Sequence, residues 1–230
     1  FIIYALVNVY IFRRGYLALA ETGIYRTIFL YSFLFLVLSY PAGRILEQWF
    51  RNSFTDFLVI IGSFYLGLMV YSLLFILLID LLRFIHHFIP FFPEFITANI
   101  RKSTQVAALV VMTLSILTVL IGHINALFPR VSTVDVSITK PAGNLKELKI
   151  VQLSDIHLGT IIRSTYLKIM VDKVNDLEPD LVLLAGDIVD EDVAPVAEQN
   201  MSRILREINA TYGVYAITGN HEYFSGVAAA

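Results

Sequence analysis

The sequence predicts a multi-span α-helical membrane domain followed by an α/β domain, and three observations carry that assignment. Long apolar stretches crowd the part before Pro129, three of them at or near the ~20 residues that cross a hydrocarbon core. After Pro129, short apolar runs alternate with amphipathic stretches in a β-α-β-α-β order, the pattern of a mainly parallel sheet. The charge changes sign at the same place: residues 1–129 carry eight Lys/Arg against five Asp/Glu, and residues 130–230 carry nine against fourteen. The expected division is a transmembrane domain at 1–128 and the α/β domain at 129–230. A hydrophobic share of 57% is too high for a soluble protein of this size.

In the membrane part the expected spans are residues 24–40, 57–79 and 106–127. Residues 1–12 are equally apolar but short and lack a starting Met, so they read as the tail of a truncated first helix, for about four spans in all. Buried core helices are the competing explanation, yet nothing in the connecting loops could cover so much apolar surface. A cleavable leader does not fit either, because further spans follow and no small-residue cleavage site is present. Arg13, Arg14 and Arg26 flank the first loop and Arg83, Arg101 and Lys102 the third, whereas the second has only Arg44 and Arg51. Positive charge marks the cytoplasmic side, so the second loop and the segment after Leu127 are expected on the extracytoplasmic side.

Several polar residues here have plain readings. Asp80 and Arg83, spaced i, i+3, suit an interfacial ion pair better than an ion pathway. His86 and His87 fall in residues 84–92, expected to lie on the membrane surface. His123 and Asn125 sit near the end of the last span, within reach of headgroups, and Trp49 and the tyrosines near span ends suit an aromatic belt. No internal repeat or charged, broken helix supports a transporter.

The second half builds its elements in order. Residues 131–138 alternate in the manner of a half-buried strand, and Pro141-Ala142-Gly143-Asn144 is a turn signal. Residues 148–153 form the next expected strand. Ser164 or Thr165 is a candidate cap for a helix with an apolar stripe of Leu167, Met170, Val171, Val174 and Leu177, stopped at Glu178-Pro179. Residues 181–185 are all apolar, as a strand buried on both faces should be. A second helix is marked by Met201, Ile204, Leu205 and Ile208, and residues 214–218 are the last expected strand.

Three of these strands run into short polar blocks: Ser154-Asp155-Ile156-His157, Gly186-Asp187-Ile188-Val189-Asp190 and Gly219-Asn220-His221-Glu222. Roughly thirty residues separate successive blocks, about one strand–helix–strand unit, so they should converge at one edge of the sheet. Carboxylates, an amide and imidazoles gathered there suit hard or borderline divalent cations. The chain has no cysteine, which excludes disulfides and thiolate sites. The acidic second half lacks the clustered Lys/Arg of a nucleic-acid footprint. Taken singly, Asp155 or Asp187 after a strand would be a helix cap or turn residue, Asn220 a turn residue and His221 a satisfied surface histidine. Their joint order and register outweigh those bland readings.

At these residues the chain resembles the calcineurin-like metallophosphoesterases, whose opening motifs are D-x-H, G-D-x-x-D and G-N-H-[ED]. The resemblance runs over residues 132–226, and the spans before it resemble the membrane-anchored branch. It implies an αββα sandwich of which this sequence holds the first half, since the later histidine motifs do not follow and Ala228-Ala229-Ala230 ends the chain. It implies a dinuclear centre of manganese, iron, zinc or a mixture, with Asp155, His157, Asp187 and Asn220 as metal ligands and Asp187 as the bridge. His221 would stay off the metals, contact the phosphate and protonate the leaving oxygen. Asp190 and Glu222 would orient ligands through hydrogen bonds. The implied activity is hydrolysis of a phosphodiester or phosphomonoester, possibly lipid-linked, by a protein whose other partner is the bilayer. The sequence as it stands would be inactive for want of ligands to the second cation. The non-enzymatic alternative is a metal-dependent scaffold or sensor, which would have no need of His221.

Overall fold

The computed structural model describes residues 1–19, 23–190 and 192–225. The far end of the resemblance and Ala228–Ala230 lie outside the described residues. The chain forms two compact units, one of Phe1–Ala126 and one from Leu127 onward.

The first unit is helical: α1 (Ile2–Ala18), α2 (Gly23–Leu46), α3 (Ser53–Phe88), the single turn α4 (Glu94–Thr97) and α5 (Ile100–Ala126). By length and composition α2, α3 and α5 are able to cross a membrane. Each starts before the expected span, and α2 and α3 also end beyond it, because polar residues at the ends continue a helix as readily as apolar ones until a stop signal arrives. In α3 the start is a reciprocal cap: the Asn52 side chain accepts from the Phe54 and Thr55 amides, and the Asn52 amide donates to Thr55 Oγ1. Its 36 residues continue through His86 and His87, so the segment expected at 84–92 begins as the end of α3 and bends at Ile89, before Pro90. His86 Nδ1 closes that bend by accepting from the Phe91 and Phe92 amides at 2.9 and 3.1 Å. Pro41 lies inside α2. Small residues let α2 and α3 approach closely: a Cβ on Gly43 would come within 2.9 Å of the Val59 backbone nitrogen, and one on Gly62 would overlap the Tyr40 backbone. Asn8, almost fully buried, is satisfied by the Tyr4 carbonyl, the Met69 sulfur and the Tyr65 hydroxyl. Asp80 pairs with Arg14 of α1 and accepts from the Tyr10 hydroxyl, with Arg83 at 4.0 Å, so the expected i, i+3 pair is the weaker part of a larger cluster.

The second unit is a three-stranded parallel sheet in the order β1 (Ile150–Leu153), β2 (Leu181–Ala185), β3 (Val214–Ile217), with α6 (Ser164–Asp176) crossing between the first two. The short helices α7 (Ala194–Glu198) and α8 (Met201–Leu205) lie between β2 and β3, and α9 (Asn220–Ser225) follows. The stripe Leu167, Met170, Val171 and Val174 is buried against Val182 and Leu184 of β2, with Met201 and Val196 completing the core.

Four expectations need correction. Residues 131–138 form no strand; Val134, Val136 and Ile138 stay at least three-quarters exposed, because alternation needs a neighbouring edge and no described strand lies beside them. Neither Ser164 nor Thr165 caps α6 with its side chain; the Ser164 amide is met by Gln199 Oε1 at 3.1 Å, a partner 35 residues away. The helix expected to reach Ile208 breaks after Leu205, and Ile204, Leu205 and Ile208 still pack on the core. Finally, β2 is fully covered on one face only: Val182 and Leu184 are buried, whereas Leu181, Leu183 and Ala185 are half-buried among the described residues.

Candidate metal centre

A parallel sheet sends all its strands out at one edge, so the three polar blocks meet there. The ladder between β1 and β2 continues irregularly into the loops. Asp155 N donates to Gly186 O (3.2 Å), His157 N to Asp187 O (3.0 Å), Leu158 N to Ile188 O (2.8 Å), and Asp190 N to Leu158 O (2.9 Å). Buried Ile156, Leu158 and Val189 anchor these loops in the core, so the polar residues between them project from a fixed base.

The backbone is unusual at the residues that carry the chemistry. Asp155, His157 and Asp187 have φ of 55°, 51° and 51°, a left-handed conformation that costs a non-glycine residue roughly 1–2 kcal/mol. The loop ladder holds them in it. Gly186, at φ 83°, lets the second block pass against the third: a Cβ there would lie 2.9 Å from Gly219 Cα, and one on Gly219 would overlap the Asp187 carboxylate.

Glu222 ties the second and third blocks together. Its buried carboxylate accepts from the Gly219 amide at 2.7 Å, Val189 at 2.9 Å and Asp187 at 3.0 Å. Burial, the largest single influence, would push its pKa up. The amides of Val189, Gly219 and Asp187, with its own, together outweigh burial and hold the carboxyl below its usual value. Glu222 thus holds the candidate ligand Asp187 by its backbone amide, together with the amides of Val189 and Gly219.

His221 is fixed from three sides. Its amide donates to Asp187 Oδ1 at 2.9 Å, its Nδ1 lies 3.1 Å from Asp190 Oδ1, and its ring meets that of His157 edge-on with centroids 4.4 Å apart. Ligand atoms of His157, Asp187 and His221 all lie within 4.8 Å of one another. Two imidazoles and a carboxylate converging on one point fit a borderline divalent cation. Asp155 and Asn220 stand at the same sheet edge, Asp155 in the loop after β1 and Asn220 as the first residue of α9. Both are exposed, and Asp155 is outside the three-residue group. The Asp190–His221 contact and the amide clamp of Glu222 were invisible in sequence beyond the fact that both acids occupy motif positions.

The fold and this cluster define the class as an α/β domain with a candidate divalent-cation site at the carboxyl edge of its parallel sheet. Residues 148–229 match the calcineurin-like phosphoesterase family, and this segment belongs to it. Across 98% of its length the chain is 31% identical to an uncharacterized metallophosphoesterase of Campylobacter jejuni, covering 58% of that protein. It is 37% identical, over 54% of its length and 28% of the relative's, to a transmembrane protein with a metallophosphoesterase domain from Bos taurus. A UDP-2,3-diacylglucosamine pyrophosphatase of Chlamydia muridarum is 32% identical over 44% of the chain and 31% of its own length. No solved structure matches the chain. The protein is thus a membrane protein with a calcineurin-like metallophosphoesterase domain, and the chain spans little more than half of the Campylobacter relative.

Proposed function

We propose that the protein is a membrane-anchored phosphoesterase working through a dinuclear divalent-metal centre. The observation that carries this is the convergence of His157, Asp187 and His221, inside a segment that matches a phosphoesterase family. Asp155, His157 and Asp187 would hold one cation, and Asp187 with the Asn220 amide would serve a second. Divalent cations at such a centre supply Lewis-acid stabilisation of phosphoryl charge and lower the pKa of attacking water. Asn220, being neutral, adds no charge against the incoming phosphate. Asp190 holds the His221 ring through Nδ1, so His221 serves the leaving oxygen through its other nitrogen, as a general acid. Manganese, iron and zinc all suit this donor set.

The substrate is a phosphodiester or pyrophosphate on a lipid. The membrane helices and the likeness to a pyrophosphatase acting on UDP-2,3-diacylglucosamine support that reading. The catalytic loops face the extracytoplasmic side, on the loop-charge bias described above. The test is turnover of bis(p-nitrophenyl) phosphate and of a lipid-linked pyrophosphate by the full-length protein reconstituted with manganese. Turnover that chelation abolishes and manganese restores is expected. A fully metal-loaded protein that hydrolyses neither compound would refute the enzymatic reading.

A further inference from the structure

The membrane unit contains a cleft of 1260 Å³ between α1, α2, α3 and α5, larger than the ~300–1,000 Å³ of sites for drug-sized molecules. Among the described residues its charged lining is one-sided: Arg14, Arg26, Arg83 and Arg101, each from a different helix, against the single acid Asp80. These residues gather where α1 leads to α2 and α3 leads to α5. The rest of the wall is mainly apolar, with Phe29, Phe33, Leu68 and Met112 among its members. Along α5 the lining runs from Ile100 to Ile116, about 24 Å at 1.5 Å per residue.

Asp80 does not neutralise this rim. It is engaged by Arg14 and the Tyr10 hydroxyl, with Arg83 at 4.0 Å, while Arg83 also reaches Thr104 Oγ1 at 3.4 Å. Among the described residues neither Arg26 nor Arg101 has an acidic partner. The Arg26 guanidinium lies over the Tyr16 ring at 4.7 Å, and its Nε is buried without a hydrogen-bond partner. An anion at the rim would give the Arg26 guanidinium the counter-charge that no described acid supplies.

We infer that this cleft binds one anionic phospholipid, its phosphate held by Arg26 and Arg101 and its acyl chains lying along the apolar wall. Guanidinium groups match phosphate oxygens in geometry as well as charge, and basic pockets between membrane helices take such headgroups. A free phosphate would need only the rim; a wall extending about 24 Å along a ~30 Å hydrocarbon core suits an amphiphile. The site is built from the membrane unit alone and does not depend on the phosphoesterase reading.

Native mass spectrometry of the full-length protein in a neutral detergent tests this, with dioleoyl phosphatidylglycerol, dioleoyl phosphatidylcholine or glycerol phosphate added. One phosphatidylglycerol should be retained in preference to phosphatidylcholine, with no retention of glycerol phosphate. The double variant Arg26→Gln/Arg101→Gln should lose that preference, weakening phosphatidylglycerol roughly thirty-fold at ~1 kcal/mol per cation. Ala108→Trp, which fills the wall from α5 and leaves the arginines, should reduce retention of both lipids. Equal retention of both lipids by the unaltered protein would overturn the inference without any variant having to fold. So would an undiminished preference in the double variant, and retention of glycerol phosphate as strong as that of the lipid would assign the rim to a soluble anion.

Discussion

Replacing Glu222 with Gln is the sharpest probe of how the metal centre is assembled. The carboxylate oxygens accept three amides from two loops: Val189 on Oε1, and Asp187 and Gly219 on Oε2. A glutamine keeps one acceptor oxygen and turns an NH2 group toward at least one of those amides. Hydrogen bonds to a charged acceptor contribute about 1.5–3 kcal/mol each, and a buried orphaned donor costs about 1–3 kcal/mol. The three bonds share one side chain and are not additive, so a local loss of roughly 2–4 kcal/mol is expected. Hydrogen exchange of the full-length protein in nanodiscs reads this directly, because local opening of these loops sets their exchange rate. Amides in peptides covering 186–190 and 217–222 should exchange roughly 30- to 1,000-fold faster in Glu222→Gln, with membrane-helix peptides unchanged. The pH dependence has a definite sign. The folded pKa lies below the unfolded one, so the contribution of Glu222 is complete above the ordinary carboxylate range and fades as pH falls through the folded value. Protection of these peptides should therefore be flat at neutral pH and decline in acid, and the glutamine variant should lack the part of that decline due to Glu222. Exchange within threefold of the unaltered protein would show that the carboxylate does not hold the loops together.

Other expectations concern the centre and its placement. Asp187→Asn in the full-length protein should lower metal content and abolish turnover, whereas His221→Ala should spare metal and lower the rate, most for poor leaving groups. Equal metal loss in the two variants would make His221 a ligand, which its closeness to His157 and Asp187 renders a real contest. Asp190→Asn should lower kcat about 10- to 100-fold with little change in KM and a steeper dependence on leaving-group pKa; a uniform loss across leaving groups would point to a merely structural role. An alkaline phosphatase fused near Pro141 should be active if that segment is extracytoplasmic, and a fluorescent protein that matures only in the cytoplasm should stay dark. The opposite pattern would reverse the orientation.

The sequence by itself determined the class of each half. Apolar length marked α2, α3 and α5 as membrane helices, and the stripe from Leu167 to Val174 marked α6 and its buried face, since both signals are properties of short contiguous stretches. Order and spacing also placed the three polar blocks at one sheet edge, because parallel strands joined by crossovers leave little choice. Only the tertiary structure decided what those residues touch. The alternation at 131–138 looked like a strand, but strand formation rests on a neighbour that local sequence does not encode. The Gln199 contact that closes the start of α6, the left-handed backbone at Asp155, His157 and Asp187, and the Glu222 clamp across two loops are set by partners tens of residues away or by the loop ladder around them. Such contacts depend on register and backbone path, and periodicity carries no record of either. The arginine-lined cleft is of the same kind: four cations spread over the chain from residue 14 to residue 101 become one surface only when four helices pack.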